Sequence, residues 1–228
     1  MSALEPGSFL ADLTPVERQD LEARGRVRDF ARGDTLFSEG EAPGWVAVLL
    51  HGRVKAFSYH EQGGEALLAV RGAGALLGEV AAIDGEPRSA TVQALEPVRA
   101  LALTVDEFTA FLQAHGRVSI IIMRMLCQRW RDADRKRVEF GMFDATGRVA
   151  QRLVELAERF GVPHRTGAGE ESVRITLNLS QEELAGWVGA SREAVSKALR
   201  TLRRHGWIET GRRRLIVHDL QALRRHAR

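Results

Sequence analysis

Across 228 residues there is a single cysteine, Cys127, with one tyrosine, three lysines and only 6% aromatic residues. One thiol can neither close an intrachain disulfide nor build a zinc or iron–sulfur centre, and it fits a reducing cytoplasm. Long apolar runs are missing too. The densest, Ile120-Ile121-Ile122-Met123, is far short of the roughly twenty residues that cross a bilayer, so no membrane partner is expected. The N-terminal segment mixes acids with bases and shows no signal-peptide core. The histidines (His51, His60, His115, His164, His205, His218 and His226) are scattered without metal-ligand spacing and read as surface or satisfied residues. No His–carboxylate–nucleophile set and no dinucleotide fingerprint appears, so an enzyme is not expected.

What is present, 44% hydrophobic and 28% charged residues, describes a globular chain of about two modest domains. The formal net charge of +3 conceals an asymmetry. Residues 144–228 hold 16 Lys+Arg against 10 Asp+Glu, whereas residues 1–143 hold 17 against 20. From Arg192 onward the count is 11 against 3. A basic C-terminal third on a mildly acidic body suggests a polyanion-binding module, although a solvated arginine-rich face gives the same count.

Thr14-Pro15-Val16-Glu17 reads as a capped helix start, with proline at the first helical position. Between Val27 and Leu103 short apolar segments alternate with turn signals: Thr35 to Phe37, Trp45 to Leu50, Val54 to Tyr59, Ala66 to Val70, Thr91 to Ala94 and Val98 to Leu103. Arg32-Gly33-Asp34, Ala42-Pro43-Gly44, His51-Gly52 and Gln62-Gly63-Gly64 punctuate them, which predicts an antiparallel barrel or double-sheet roll able to enclose one small ligand. Thr104 and Glu107 form a second capping box, opening a short helix that His115-Gly116 breaks. Residues 117–142 then read as one long helix. Its stripe of Ile120, Met123, Cys127, Trp130 and Ala133 predicts a parallel homodimer seam, with Ile121, Ile122 and Leu126 turned toward the barrel. The alternative is a helix lying wholly on its own barrel.

Asp144 is expected to cap a helix through Phe160, stopped by Gly161, with Val149, Leu153, Leu156 and Phe160 on one face. Pro163 to Glu171 reads as a loop, and Val173 to Leu177 as a strand. Ser180-Gln181-Glu182-Glu183 opens a helix to Val188; a turn at Gly189-Ala190 and a helix from Ser191 to His205 follow, the helix-turn-helix order. Trp207 to Glu209 and Leu215 to Val217 read as a hairpin that makes the module winged.

Two constellations carry chemistry. On the second helix of the helix-turn-helix, Val195, Ala198, Leu199 and Leu202 form a buried face and leave Arg192, Glu193, Ser196 and Lys197 outward. Arginine can make a bidentate contact with guanine and glutamate can accept from cytosine N4. Ser180, Gln181 and Ser191 sit at helix starts, where free N–H groups and hydroxyls can hold phosphates, or they only cap their helices. Arg203, Arg204 and Arg212 to Arg214 suit DNA backbone contacts. The second constellation runs from Leu77-Gly78-Glu79-Val80 to Pro87-Arg88-Ser89-Ala90. A glycine before a helical turn brings backbone amides, a guanidinium and a hydroxyl to one point, which suits a cyclic phosphodiester, with Glu79 free to accept from a sugar hydroxyl. Glu79 and Arg88 can equally pair with each other.

These segments, with Leu179 to Lys197 and the join Phe143 to Ala150, resemble the bacterial cyclic-AMP receptor protein and fumarate-nitrate regulator superfamily over essentially the whole chain. The resemblance implies an α+β protein: a cyclic-nucleotide-binding barrel or jelly roll over 1–116, a dimerisation helix and hinge over 117–143, and a winged helix-turn-helix over 144–228. It implies that Glu79 holds a ribose hydroxyl, that Arg88 and Ser89 hold a cyclic phosphate flanked by Gly78, Val80 and Ala90, and that Arg129 reaches back toward that side. Where the family's receptor places a threonine and a serine against adenine, this chain has Ala133 and Asp134. A carboxylate can accept from the exocyclic amine of adenine or from the N1 and N2 donors of guanine. The expected effector is therefore a cyclic mononucleotide, cyclic AMP first and cyclic GMP second, with no metal, haem or iron–sulfur cluster. The expected partners are double-stranded DNA, a second copy through 117–143, and RNA polymerase; a family member that binds DNA without a nucleotide, or senses another small ligand, is the alternative.

Overall fold

The computed structural model describes residues 4, 7–59, 64–165, 171–177, 179–211 and 214–226. The chain forms two compact units, Met1–Glu61 with Leu68–Asp132, and Gln62–Leu67 with Ala133–Arg228.

The N-terminal elements are α1 (Phe9–Asp12), α2 (Pro15–Arg24), β1 (Arg26–Phe30), β2 (Thr35–Phe37), β3 (Trp45–His51), β4 (Val54–Tyr59), β5 (Glu65–Arg71), β6 (Leu76–Leu77), α3 (Glu79–Asp84), β7 (Thr91–Ala94), β8 (Val98–Thr104), α4 (Val105–Ala114) and α5 (Gly116–Met142). The strands form two antiparallel four-stranded sheets, ordered β1-β8-β3-β6 and β2-β7-β4-β5. Of the two forms expected, barrel or double-sheet roll, the chain takes the open, jelly-roll-like double sheet. Strand β3 shows why two layers form. Its Ala47 and Leu49 meet Phe37, Val54, Val92 and Ala94 of the second sheet, while Val46 and Val48 meet Phe9, Leu21, Phe108 and Phe111 of the helices. A strand buried on both faces must be apolar, and this one is from Trp45 to Leu50. Strand β1 was missed in the sequence because Arg26-Val27-Arg28-Asp29 is exposed and lacks apolar alternation; pairing with β8, from Arg26 opposite Ala102 to Phe30 opposite Val98, holds it.

Both capping boxes form as expected. The Thr14 and Thr104 backbone N–H groups donate to Glu17 and Glu107 at 2.7 and 2.8 Å, and each threonine hydroxyl accepts in return. Glu17 also takes a hydrogen bond from Arg117 Nε at 2.9 Å, which ties α2 to α5. That contact is the main reason its carboxyl is held down to about 2.

Helix α5 carries two faces. Val118, Ile121 and Ile122 are buried in their own core, with Leu126 packed against it. Ile120, Met123 and Trp130 are 44%, 51% and 72% exposed, and Cys127 between them is exposed too. The expected stripe is thus left uncovered.

The second unit continues with α6 (Ala145–Phe160), β9 (Gly161–Arg165), β10 (Glu171–Ile175), α7 (Gln181–Val188), α8 (Arg192–Arg204), β11 (Ile208–Gly211), β12 (Arg214–Val217) and α9 (Leu220–His226). Asp144 caps α6 by accepting from Gly147 N–H at 2.8 Å, and Val149, Leu153, Leu156 and Phe160 are buried. The strands form one sheet ordered β11-β12-β10-β9. The loop expected from Pro163 is corrected: Gly161–Arg165 is a strand, with Pro163 opposite Val173. Proline is tolerated there because β9 is the edge strand, where a missing N–H costs no ladder bond. The Gln62-Gly63 part of one turn signal, and Arg212 and Arg213, lie outside the described residues.

Among the described residues no helix is long and apolar enough to cross a membrane, and no group of three or more His, Cys, Asp or Glu is gathered as for a metal.

Candidate functional site

The first candidate site is the turn between β6 and β7. Gly78 has φ +79°, and a Cβ there would fall 2.6 Å from Arg88 Nη1. The position therefore needs glycine on two counts, conformation and space. Arg88 is only 5% exposed. Its Nη1 donates to the Gly78 carbonyl at 2.9 Å, its Nη2 donates to the Trp45 carbonyl, and its Cζ lies 4.2 Å from the centre of the Phe37 ring. Burial lowers its pKa from the usual guanidinium value, opposed by the nearby charges of Glu41 and Glu79. The backbone of Arg88 is fixed as well, accepting from Gly40 N–H at 2.9 Å and donating to the Glu41 carbonyl at 2.8 Å. Ser89 is exposed beside it, Ala90 is half-buried, and Val80 is exposed at the start of α3.

Glu79, 1% exposed, does not form an ion pair with Arg88. Its carboxylate accepts from Arg129 Nη1, and Arg129 Nη2 also donates to the Leu76 carbonyl at 3.0 Å. The structure thus brings Gly78, Glu79 and Arg88 into one buried polar cluster that the half-buried Arg129 closes. Trp45 and Phe37, which cradle Arg88, carried no sequence signal, because strand pairing brings them there from a distance along the chain. Asp134 stands outside this unit, exposed on α5, with its carboxylate 3.9 Å from Arg137. A surface pair of that length contributes little.

The second candidate site is the pair α7 and α8. Ser180 caps α7 in a third capping box, with its N–H donating to Glu183 at 2.8 Å and its hydroxyl accepting from Glu183 N–H at 3.1 Å. Gly189, in the left-handed region at φ +59°, turns the chain, and Ser191 caps α8 by accepting from Ala194 N–H at 3.2 Å. Val195, Ala198, Leu199 and Leu202 are buried, while Gln181, Arg192, Glu193 and Lys197 are exposed and Ser196 is half-buried. The Glu193 carboxyl is held below its ordinary range, first by its own backbone N–H and then by the Ser191 hydroxyl and the Arg192 charge. At neutral pH the first turn of α8 therefore presents one ionised acceptor beside one guanidinium, a polar pair that can read base edges in a major groove.

An antiparallel double sheet followed by a long helix and a winged helix-turn-helix is the architecture of a DNA-binding transcription regulator. The comparisons agree. Residues 27–115 match the cyclic nucleotide-binding domain family, and residues 147–226 match the Crp-like helix-turn-helix domain. The chain is 34% identical over 200 residues, 88% of its length and 87% of the relative's, to the CRP-like cAMP-activated global transcriptional regulator of Mycobacterium tuberculosis. It is 30% identical over 184 residues, 81% of its length and 80% of the relative's, to the cyclic AMP receptor protein of Thermus thermophilus. A CRP-family transcriptional regulator of Thermus thermophilus superposes with a TM-score of 0.72 at 27% identity, covering 88% of this chain and 96% of that one. The protein belongs to the CRP/FNR superfamily of transcription regulators.

Proposed function

We propose that the protein acts in the cytoplasm as a homodimer whose binding to palindromic DNA depends on a cyclic mononucleotide, cyclic AMP first and cyclic GMP second. The observation that carries the effector half is the burial of Arg88 and Glu79 on one glycine-started turn. Charged groups are rarely buried in a core unless paired or functional. A cyclic phosphate competes with the Gly78 and Trp45 carbonyls for Arg88, because it offers the guanidinium a full negative charge and two parallel acceptor oxygens, which a neutral carbonyl does not. Ser89 and the amides after Gly78 add donors, and Glu79 accepts from the ribose hydroxyl while Arg129 holds its carboxylate.

The uncovered stripe of α5 supports the dimer. Two such helices side by side would cover Ile120, Met123, Cys127 and Trp130, the half-exposed Ile120 and Met123 each adding about half of the roughly 1.5–3 kcal/mol of a full burial. Two α8 helices would then enter successive major grooves about 34 Å apart. Arg192 and Glu193, with Lys197 in place of the receptor's third contact, favour half-sites similar to TGTGA, relaxed near that contact. Phosphate contacts from Ser180, Gln181, Ser191 and the arginines beyond α8 add affinity without sequence information. Bound to its site, the dimer is positioned to contact RNA polymerase. A second reading, a regulator that needs no nucleotide, is favoured by one observation: Arg88 and Glu79 already have protein partners.

Selection from random-sequence duplex, with and without cyclic AMP and against heparin as competitor, tests the proposal. Enrichment of a two-fold-symmetric sequence only with the nucleotide is expected. Equal enrichment without it supports the second reading, and binding that heparin abolishes with no enriched sequence removes both.

A further inference from the structure

Arg148, in the first turn of α6, lies between the C-terminal ends of two other helices. Its Nη1 donates to the Phe143 carbonyl just after α5 at 2.7 Å. Its Nε donates to the Val188 carbonyl at 2.7 Å and its Nη2 to the Gly189 carbonyl at 3.3 Å, both at the end of α7. Helix ends leave carbonyls without intrahelical partners and carry partial negative charge, so a guanidinium is the side chain best suited to hold two of them. The plane of Arg148 also lies over Phe140 of α5, Cζ to ring centre 5.4 Å.

The same ring explains Gly189. A Cβ on that residue would strike Phe140, and the φ of +59° already disfavours a side chain. The α5 end therefore meets the turn between α7 and α8 with backbone against ring. Two further contacts accompany it: Lys136 Nζ lies 5.8 Å from the ring centre of Trp187 on α7, and Glu139 pairs with the buried Arg152 of α6.

We propose that Arg148 is a positioning residue for DNA recognition: by fastening the Val188 and Gly189 carbonyls to the end of α5, it fixes the turn from which α8 and Arg192 start. The inference rests on the reading that α8 contacts DNA. It assigns to Arg148 no contact with DNA or nucleotide. Because only two residues separate Gly189 from Arg192, a turn that loses its two carbonyl partners tilts or frees the whole first turn of α8. A lysine keeps the charge, but its single nitrogen cannot span carbonyls on both helices and its stem does not stack on the ring.

The test uses the full-length protein with Arg148→Met and Arg148→Lys. Two quantities are measured: affinity for the duplex recovered by wild-type selection relative to a scrambled duplex of equal length, and amide hydrogen exchange by mass spectrometry. Both variants are expected to lose about tenfold or more of the specific affinity while scrambled-duplex affinity changes less than about twofold. Exchange should quicken in peptides covering 185–192 and stay unchanged in the core of α6. A variant that keeps the specific-to-scrambled ratio and the exchange rate of that turn overturns the proposal. If Arg148→Met fails to fold, Arg148→Lys decides. If the wild type itself selects no sequence, the DNA reading falls, and the exchange data still decide whether Arg148 fixes the turn.

Discussion

Arg192→Ala is expected to cost the dimer about 2–6 kcal/mol on its selected palindrome, thirty-fold in affinity at the low end, because one bidentate base contact of about 1–3 kcal/mol is lost in each half-site. The expectation follows from placement. Arg192 is the first residue of α8, exposed, in a turn that Ser191 caps by accepting from the Ala194 N–H, with its neighbour Glu193 ionised. Truncation removes no buried contact, so thermal stability should stay within about 0.5 kcal/mol of the parent, as for surface changes generally. Affinity for scrambled duplex should fall only slightly, since phosphate contacts carry it. The variant should also tolerate replacement of the guanine in each half-site that the proposal assigns to Arg192. A fluorescence-anisotropy titration in which Arg192→Ala keeps the parent's discrimination at that base would remove Arg192 from base readout.

Arg129→Met should destabilise the N-terminal unit by about 3–5 kcal/mol, the typical cost of leaving a buried charge without its partner. Glu79 is 1% exposed and its carboxylate accepts from Arg129, a residue of α5. The same substitution strips the Leu76 carbonyl of its 3.0 Å donor. In a unit of this size the loss lowers the melting temperature by on the order of 10 °C. Pairing it with Glu79→Gln, which removes the stranded charge, should recover a large part of the loss, a coupling that a double-mutant cycle reads directly. Additive single and double variants would show that the two groups do not depend on each other. The pair also ties the turn that starts at Gly78 to the long helix α5.

The parts of the fold that were legible in the sequence have local causes. Thr14 with Glu17, Thr104 with Glu107 and Ser180 with Glu183 are short-range signals, and all three form reciprocal caps. The periodicity of Val195, Ala198, Leu199 and Leu202 marks the inner face of α8 for the same reason, and short apolar segments between turn signals mark β4 and β7 as strands. What escaped depends on pairing across long sequence distances. Strand β1 is held by β8, and β9 by β10, against their own weak propensity. Helix α9 did have a local signal, Asp219, whose carboxylate accepts from Ala222 N–H at 2.7 Å, but it stands in a short arginine-rich terminus that reads as solvated charge. In the candidate site, Gly78, Glu79 and Arg88 stand out by residue type and spacing. Their wiring does not: the cradle of Trp45 carbonyl and Phe37 ring exists only once β2, β3 and β6 have met in register. The choice of Arg129 over Arg88 as the partner of Glu79 is a fact of packing that residue types alone left open.

The central claim is that a cyclic nucleotide binds at Arg88. Isothermal titration calorimetry of the purified protein with cyclic AMP and with cyclic GMP, repeated on Arg88→Ala and on Arg88→Lys as a charge-preserving comparator, tests it most directly. The account predicts saturable heat with one of the two nucleotides, one site per chain, and a loss of about thirty-fold or more in Arg88→Ala as charge-assisted phosphate contacts disappear. Absence of heat with both nucleotides in the folded parent, or undiminished binding by Arg88→Ala, would contradict it.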